Sequence, residues 1–361
     1  MRRALRELEL IERIRSQWGT AGPGARDLTR NLALGIGDDC AILRPPRGHE
    51  LLVTTDFTLE GRHFRRDLHP PKSVGHRTLA RGLSDLAAMG ARPLAAFLSL
   101  ALPAEMLSTR AGRSWVESFF TGLRSLAERS AVPLAGGDTS ESPDNLVLAD
   151  IVLIGTAPVG RSLRRSGAHP GDALYVTGEL GGAAAELAAM PGASSIPRSR
   201  RNGWDASSKF SPGQLAAHPQ LFPQPRIAIG LTLLRRRLAT ACIDLSDGLS
   251  TDLAHLCRES GVGAHISSAA LPIHPLALQS RAAQVNRADT ALDLALHGGE
   301  DYELLFSAPP SARVPRSIAG VRITRIGSLV RGRSISLLDP TGRRSPLTPG
   351  GWEHFSGKYH D

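Results

Sequence analysis

The sequence predicts a protein of two domains in the α/β or α+β class. Short apolar segments with strand patterns alternate with amphipathic helical segments in both halves of the chain, which is typical of that class. The length of 361 residues exceeds the roughly 250 to 300 residues that one hydrophobic core can serve. A Pro-Val-Gly turn at 158–160 follows a long apolar strand, so we expect an N-terminal domain over 1–157 and a C-terminal domain over 158–361.

In the first half, hydrophobic periodicity and turn residues indicate the elements in order. We expect helices over 5–18, 74–89 and 111–130, a turn within 35–43 that opens into a short apolar strand, and longer strands over 51–56, 95–102 and 146–157. In the second of these helices Leu79, Leu83 and Leu86 share one face and form a core stripe, which leaves Asp85 on another face.

In the second half, the pattern of alternating strands and helices continues. A turn and strand at 171–178 precede an alanine-rich helix that begins at Gly182, and a strand over 241–245 leads into a helix that runs to Glu259. The stretch 190–212 has no hydrophobic period and is rich in Ser, Arg, Gly and Pro, so it is predicted to be a mobile surface insertion.

Composition narrows the class of protein. Hydrophobic residues make up 41% of the chain, no run reaches the roughly 18 apolar residues that span a bilayer, and the N-terminal segment lacks the apolar core of a secretory signal. The three cysteines form no C-x-x-C pair, which argues against a disulfide framework or a zinc site. We therefore expect a cytoplasmic protein with no membrane partner.

The net charge of +9 permits binding to nucleic acid, because nearly all of the positive charge is arginine. The arginines are scattered, however, aromatic residues are only 4%, and no nucleic-acid-binding motif is present. We expect no nucleic-acid partner.

The aspartates are the main functional signal, because many of them lie at strand ends or in glycine-flanked turns within apolar sequence. They are Asp38, Asp39, Asp56, Asp85, Asp138, Asp244 and Asp247. A single aspartate in such a place is best explained as a turn or cap. Several that converge require cations, and all-oxygen ligands select Mg²⁺, which commonly bridges to substrate phosphates. The pattern favours nucleotide-dependent phosphoryl transfer, although the chain has neither a P-loop nor the protein-kinase motifs.

Six motifs occur in a fixed order, and together they resemble the thiamine-monophosphate kinase family. They are GIGDDCA at 35–41, TTD at 54–56 with EGRHF at 60–64, LSDLAAMG at 83–90, GGDT at 136–139, IDLSDGL at 243–249 and GGEDYEL at 298–304, with a further GWEHF at 351–355. Position 352 is a tryptophan where members of that family often have a tyrosine.

The resemblance implies the fold shared with aminoimidazole ribonucleotide synthetase, in which the N-terminal sheet pairs with that of a second subunit in a homodimer. It implies direct in-line transfer from ATP to thiamine monophosphate, the last step in making thiamine diphosphate, with several Mg²⁺ ions and no catalytic general base. The implied metal ligands are Asp39, Thr54, Thr55, Asp56, Asp85, Asp138, Asp244 and Asp247. The implied ATP contacts are Gly137, Asp138, Arg165 and Ser246, and His63, Glu300 and Trp352 are implied on the substrate side.

Two alternatives remain open. Within the superfamily, aminoimidazole ribonucleotide synthetase is the competing enzyme, although the motif at 298–304 argues against it; selenophosphate synthetase and the hydrogenase maturation factor would each be expected to carry a terminal cysteine that this chain lacks. Outside enzymes, the charge allows a nucleotide- or nucleic-acid-binding protein without turnover, but that interpretation leaves the ordered aspartates unexplained.

Overall fold

A computed structural model describes residues 7–18, 31–190, 217–279 and 291–353. The predicted insertion at 190–212 lies outside these residues except for Met190. The described chain divides into two compact units: the first contains the residues up to Leu86 and those from Ala91 to Arg161, and the second contains 87–90, 162–190 and 217–353. Both units combine a mixed sheet with helices, as the predicted class requires.

The first unit is built on a four-stranded sheet in the order β3-β6-β4-β5, beside a small β1-β2 pair. Strand β6 is antiparallel to β3 and to β4, whereas β5 is parallel to β4. The strands are β1 (Leu32–Leu34), β2 (Ile42–Leu43), β3 (His49–Leu59), β4 (Arg92–Leu102), β5 (Leu134–Glu141) and β6 (Leu148–Pro158). The helices are α1 (Glu7–Trp18), α2 (Pro71–Ala88), α3 (Glu105–Ser108) and α4 (Arg110–Arg129).

Helices α2 and α4 cross at unusually short range because glycine occupies both contact points. A Cβ on Gly75 would lie 1.9 Å from the Phe119 carbonyl oxygen, and a Cβ on Gly122 would lie 1.8 Å from the Lys72 carbonyl oxygen. The predicted core stripe of α2 is confirmed, since its three leucines are almost completely buried. The two helices therefore form a rigid layer that carries Asp85 on its other face.

The second unit contains a larger sheet in the order β14-β13-β9-β12-β7-β10-β8, with β11 paired to β12. Its strands are β7 (Ala173–Thr177), β8 (Ala241–Leu245), β9 (Gly263–Ser267), β10 (Glu303–Ala308), β11 (Ser317–Ile318), β12 (Val321–Val330), β13 (Ile335–Leu338) and β14 (Arg344–Pro346). Its helices are α5 (Gly182–Ala189), α6 (Ile227–Arg236), α7 (Leu249–Ser260), α8 (Pro275–Gln279) and α9 (Ala291–His297), with a 3₁₀ turn at Ser268–Ala270.

Both faces of the larger sheet are covered. On β8, Ile243 packs into the core shared with α7 and α9, whereas Cys242 packs into a second core shared with α6. Alternate residues of a strand point to opposite faces, so one strand serves both cores. Asp244, near the end of β8, and Glu303, at the start of β10, are therefore positioned by strands that are packed on both faces.

The glycine motif at 136–139, which the sequence places at a strand end or in a glycine-flanked turn, lies within β5. There the backbone of Gly137 packs directly against β4. Its φ is 147°, and a Cβ there would lie 1.9 Å from the Leu98 carbonyl oxygen. Glycine inside a strand commonly marks such a close approach.

Among the described helices, none has the length and apolarity needed to cross a membrane.

Candidate functional site

A large cavity of about 980 Å³ lies in the first unit. Its apolar wall includes Ile11 and Ile14 of α1 and Phe97 of β4, and two glycine-bearing segments, 35–41 and 136–139, line it as well. Those segments bring Asp39, Gly137 and Asp138 to one cavity. The structure thus assembles three of the predicted site residues from motifs that are a hundred residues apart in the chain.

The turn at 35–41 is shaped by glycine and by a local hydrogen bond. The φ of Gly37 is 125°, and a Cβ there would lie 2.6 Å from the Arg15 guanidinium carbon. The Arg15 side chain of α1 therefore packs directly against the backbone of the turn. The Asp39 amide donates to the Asp38 carboxylate at 2.9 Å. Asp38 therefore acts as a turn residue here, while Asp39 lies exposed at the cavity.

A second group forms where β3 faces α2. The Thr54 hydroxyl donates a short hydrogen bond to Asp85. Asp56, two residues along the same face of β3, accepts from Arg81 Nη2 at 2.7 Å and from its Nε at 3.0 Å. Arg81 and Asp85 are four residues apart on the helix, so the strand period and the helix period place two carboxylates, a hydroxyl and a guanidinium side by side.

Thr55 does not join this group through its side chain. It points to the opposite face of β3, where its hydroxyl donates to Asp150 on β6 at 2.7 Å. Because neighbouring strand residues alternate, Thr54 and Thr55 cannot present both hydroxyls to one face.

His63 lies in the turn that follows β3. The Leu59 amide donates to its Nδ1 at 3.0 Å, and Arg77 Nη2 donates to its carbonyl oxygen at 3.1 Å. Since Nδ1 accepts a hydrogen bond, the neutral imidazole carries its proton on Nε2. The ring is a fixed, half-buried feature of the turn.

In the second unit, backbone hydrogen bonds join three motifs around the end of β8. The Glu300 amide donates to the Ser246 carbonyl oxygen at 2.8 Å, and the Trp352 amide donates to the Asp247 carbonyl oxygen at 3.0 Å. Gly351 allows this contact, because a Cβ there would lie 1.9 Å from the same Asp247 oxygen. Four predicted residues from distant parts of the sequence are thus neighbours.

The acids at the start of α7 interact electrostatically. The Asp247 amide donates to Asp252 at 3.1 Å. Burial, together with the smaller effects of the negative charges of Asp244 and Asp247, raises the pKa of Asp252 to about 8, while the hydrogen bond from the Asp247 amide and the charge of Arg165 act in the opposite direction. The three aspartates and Arg165 are therefore close enough to interact electrostatically.

Glu300 is held in a strained loop. Its φ is 67° and that of Tyr302 is 50°, both in the left-handed region that non-glycine residues seldom adopt. Between them, the Asp301 carboxylate accepts from the Gly181 amide at 2.7 Å and the Ala183 amide at 3.2 Å, at the N-terminus of α5. Desolvation of Asp301 nevertheless raises its pKa to about 7.

Sequence reasoning missed Arg81 and Gln220 as parts of these clusters. Gln220 is 2% exposed, and its Nε2 donates to a Glu300 carboxylate oxygen at 2.9 Å. Helical spacing from Asp85 was a usable signal for Arg81. Gln220 follows an aperiodic stretch and offered no signal of its own.

The predicted acids do not form a ready-made metal cage. Within the residues that the structure describes, no three His, Cys, Asp or Glu side chains converge closely enough to hold a metal ion by themselves. The observed groups are a hydroxyl with two carboxylates on β3 and α2, three aspartates that line the cavity of the first unit, and the aspartates near α7 in the second.

Comparison with known families identifies the class. Residues 37–157 match the N-terminal domain and residues 169–339 the C-terminal domain of the AIR synthase related proteins. The chain is therefore a member of that class, as its two mixed α/β units and ordered aspartate motifs indicate.

Three individual similarities are more specific. The chain is 38% identical over 330 residues to thiamine-monophosphate kinase of Escherichia coli K12, covering 90% of this chain and 93% of that protein. The crystal structure of thiamine-monophosphate kinase from Stenotrophomonas maltophilia is similar with a TM-score of 0.73 and 34% identity, covering 95% and 99% of the two chains. AaThiL complexed with AMPPCP and TMP has a TM-score of 0.68 and 28% identity, covering 97% of each chain. Within its class, this chain belongs to the thiamine-monophosphate kinase family.

Proposed function

We propose that this chain transfers the γ-phosphoryl group of ATP to thiamine monophosphate, giving thiamine diphosphate and ADP. The main support is its similarity, over nine-tenths of its length, to a protein that carries this activity in its name. A similar structure is complexed with AMPPCP, an analogue of ATP, together with TMP, so it holds counterparts of both substrates of this reaction.

The cavity of the first unit is the proposed place for part of the nucleotide. Its volume of about 980 Å³ is ample for a small-molecule ligand. The apolar wall suits a purine base, and the glycine-bearing segments allow phosphates to approach the backbone closely. The proposed ATP contacts are Gly137, Asp138, Arg165 and Ser246.

The donor chemistry fits Mg²⁺. Carboxylate and hydroxyl oxygens are its preferred protein ligands, and it commonly completes its coordination with waters and substrate phosphates. Among the described residues no complete set of protein ligands is formed in advance. This agrees with a Mg²⁺ site in which the substrate phosphates supply part of the coordination. The residues proposed to hold the ions are Asp39, Thr54, Asp56, Asp85, Asp138, Asp244 and Asp247. The predicted ligand Thr55 is not retained, because its hydroxyl faces the opposite side of β3 and donates to Asp150. When bound, the ions would neutralise the negative charge of the phosphates.

The chain's own residues act by positioning. A phosphate monoester is already anionic near neutral pH, so an oxygen of thiamine monophosphate attacks the γ-phosphorus in line while the bond to the bridging oxygen of ADP breaks. No general base is needed for this step. Arg165 is proposed to offset phosphate charge, which its bidentate guanidinium suits.

The thiamine end is assigned to Glu300, Trp352 and His63. Glu300 offers a carboxylate to the amine-bearing or cationic part of thiamine. Trp352 is 49% exposed and offers a ring face for stacking or a cation–π contact of about 0.5 to 2 kcal/mol. His63 presents its Nε2 proton as a donor, since its Nδ1 accepts from the Leu59 amide.

The first unit is proposed to dimerise through its sheet. On β3, Leu51, Val53 and Phe57 are 49%, 65% and 59% exposed and share one face. A large exposed apolar patch of this kind marks an interaction surface. We assign 1–157 to ATP binding, metal binding and dimerisation and 158–361 to the C-terminal domain, and we place the enzyme in the cytoplasm, where its three free cysteines stay reduced.

The dimer is tested by sedimentation of the purified chain and of Val53→Asp. The wild type should sediment as a dimer, and the variant as a monomer, because a carboxylate at the centre of an apolar interface is left without a partner. Asp144→Asn, in an exposed loop of the same unit, is the control. A monomeric wild type would contradict the dimer.

The activity is tested by incubating the chain with ATP, Mg²⁺ and thiamine monophosphate and following thiamine diphosphate and ADP by chromatography. Stoichiometric, metal-dependent formation of both products is expected. Asp85→Asn should abolish turnover and Asp144→Asn should not. A folded protein that binds ATP but does not form thiamine diphosphate would contradict the proposed function and indicate a different acceptor.

A further inference from the structure

The direction of the Glu300 carboxylate is only partly fixed by the backbone. The amides of Glu300 and Tyr302 donate to the carbonyl oxygens of Ser246 and Leu245 at 2.8 and 2.9 Å, which anchors the loop to the end of β8. A glutamate side chain still has three rotatable bonds beyond its Cα. A hydrogen bond from another group is needed to stabilise one rotamer, so that the carboxylate faces a ligand in a single orientation.

Gln220 is placed to provide that hydrogen bond. Its Nε2 donates to Glu300 Oε2 at 2.9 Å, and the residue is almost completely buried, at 2% exposure. A hydrogen bond to a charged acceptor from a buried donor is stronger and more directional than one between neutral groups in water.

The segment that carries Gln220 is itself clamped to α5. Glu186 Oε2 accepts from the Gln220 amide at 2.8 Å, and Glu186 Oε1 bonds His218 Nδ1 at 2.7 Å. The Glu186 carboxylate therefore holds the segment through hydrogen bonds at two residues, His218 and Gln220. The amide of Gln220 that faces Glu300 is fixed both by its own burial and by these hydrogen bonds.

We propose that Gln220 is a positioning residue that fixes the orientation of the Glu300 carboxylate and thereby sets the affinity for the amine-bearing, cationic end of the substrate. This inference rests on the proposed function. Gln220 acts through Glu300 and touches no reacting atom, so its loss affects recognition of thiamine monophosphate more than phosphoryl transfer or the binding of ATP.

A purely structural role gives a different pattern. A buried amide needs a hydrogen-bond partner in any case, and its removal lowers stability wherever it lies. Gln224 provides a matched control, because its Nε2 donates at 2.7 Å to the Phe222 carbonyl oxygen within the same segment and not to Glu300.

The test compares Gln220→Leu with Gln224→Leu by steady-state kinetics and by calorimetry of thiamine monophosphate binding. Gln220→Leu should raise KM and Kd for thiamine monophosphate about tenfold, the factor expected for one hydrogen bond to a charged group. Its KM for ATP should not change, and Gln224→Leu should bind thiamine monophosphate as the wild type does. Melting temperatures of both variants record any purely structural loss.

A double-mutant cycle shows whether the effect passes through Glu300. In a Glu300→Gln background, Gln220→Leu should have little further effect on Kd, because the charged acceptor is already gone.

The outcomes separate this inference from the proposed function. If the wild type does not phosphorylate thiamine monophosphate, the proposed function fails. If it does, but Gln220→Leu and Gln224→Leu have the same Kd, or Gln220→Leu weakens binding equally in the Glu300→Gln background, Gln220 does not position Glu300.

Discussion

Gly351→Ala tests whether the contact between the C-terminal stretch and the turn after β8 aligns the thiamine site. The new Cβ would lie 1.9 Å from the Asp247 carbonyl oxygen and 2.8 Å from Thr251 Oγ1. Real Cβ atoms essentially never approach within 3.0 Å, so the stretch must move by about 1 Å. That displacement also disturbs the hydrogen bond from the Trp352 amide to the same oxygen, which measures 3.0 Å.

A displacement of about 1 Å in a binding constellation costs up to about 100-fold in rate. We therefore expect kcat/KM for thiamine monophosphate to fall by about two orders of magnitude while the KM for ATP stays within about twofold. The assay is steady-state thiamine diphosphate formation with each substrate varied in turn. Thermal melting of the same preparations checks that the variant is folded.

Gly342→Ala is the matched control in the same C-terminal stretch. Its φ is 85° and nothing lies within 4 Å of the added Cβ, so it introduces backbone strain of about 1 kcal/mol without a collision. It should melt slightly earlier and turn over normally. If Gly351→Ala retains the kcat/KM of Gly342→Ala, the argument that this close approach aligns the site is wrong.

Three further predictions concern stability, each measured by urea unfolding. Because the pKa of Asp301 is raised to about 7 from 3.8, the wild type should lose about 2 kcal/mol between pH 5 and pH 8 relative to Asp301→Asn; parallel pH curves would contradict this. Arg226→Met leaves the buried Glu303 carboxylate without its ion pair and should destabilise by about 3 to 5 kcal/mol, an effect that Glu303→Gln in the same chain should reduce; unchanged stability would show that the pair is dispensable. Gly122→Ala forces its Cβ onto the Lys72 carbonyl oxygen 1.8 Å away and should cost about 3 kcal/mol or more, whereas a loss below 1 kcal/mol would mean that the helices separate easily.

The sequence predicted those parts of the fold that depend on local periodicity. The stripe of Leu79, Leu83 and Leu86 is buried as the helical spacing required, and the strand before the Asp244 motif ends where it was expected. For the segment that contains Gly137 the sequence could not decide between a strand end and a turn, because a glycine that permits close contact between strands has the same local signature as one that permits a bend.

The sequence provides candidate site residues but not the contacts between them. Alternation along β3 already separates Thr54 from Thr55, yet nothing local indicates that Thr54 meets Asp85 or that Thr55 meets Asp150. The contact of Gln220 with Glu300 joins positions 80 residues apart. Such pairings are set by the packing of whole elements, and a motif carries no information about them.

The strain at Glu300 has a consequence for protein engineering. Tyr302 is 2% exposed, so its packing offsets the strain of its left-handed backbone, whereas Glu300 is less buried and has a φ of 67°. Glycine at position 300 would relieve roughly 1 kcal/mol of that strain. It would also remove the carboxylate that accepts the hydrogen bond from the buried Gln220 amide, at a cost of about 1 to 3 kcal/mol. A directed-evolution campaign that selects only for heat resistance should therefore retain Glu300 despite its strained backbone, so that stability and substrate recognition favour the same residue there.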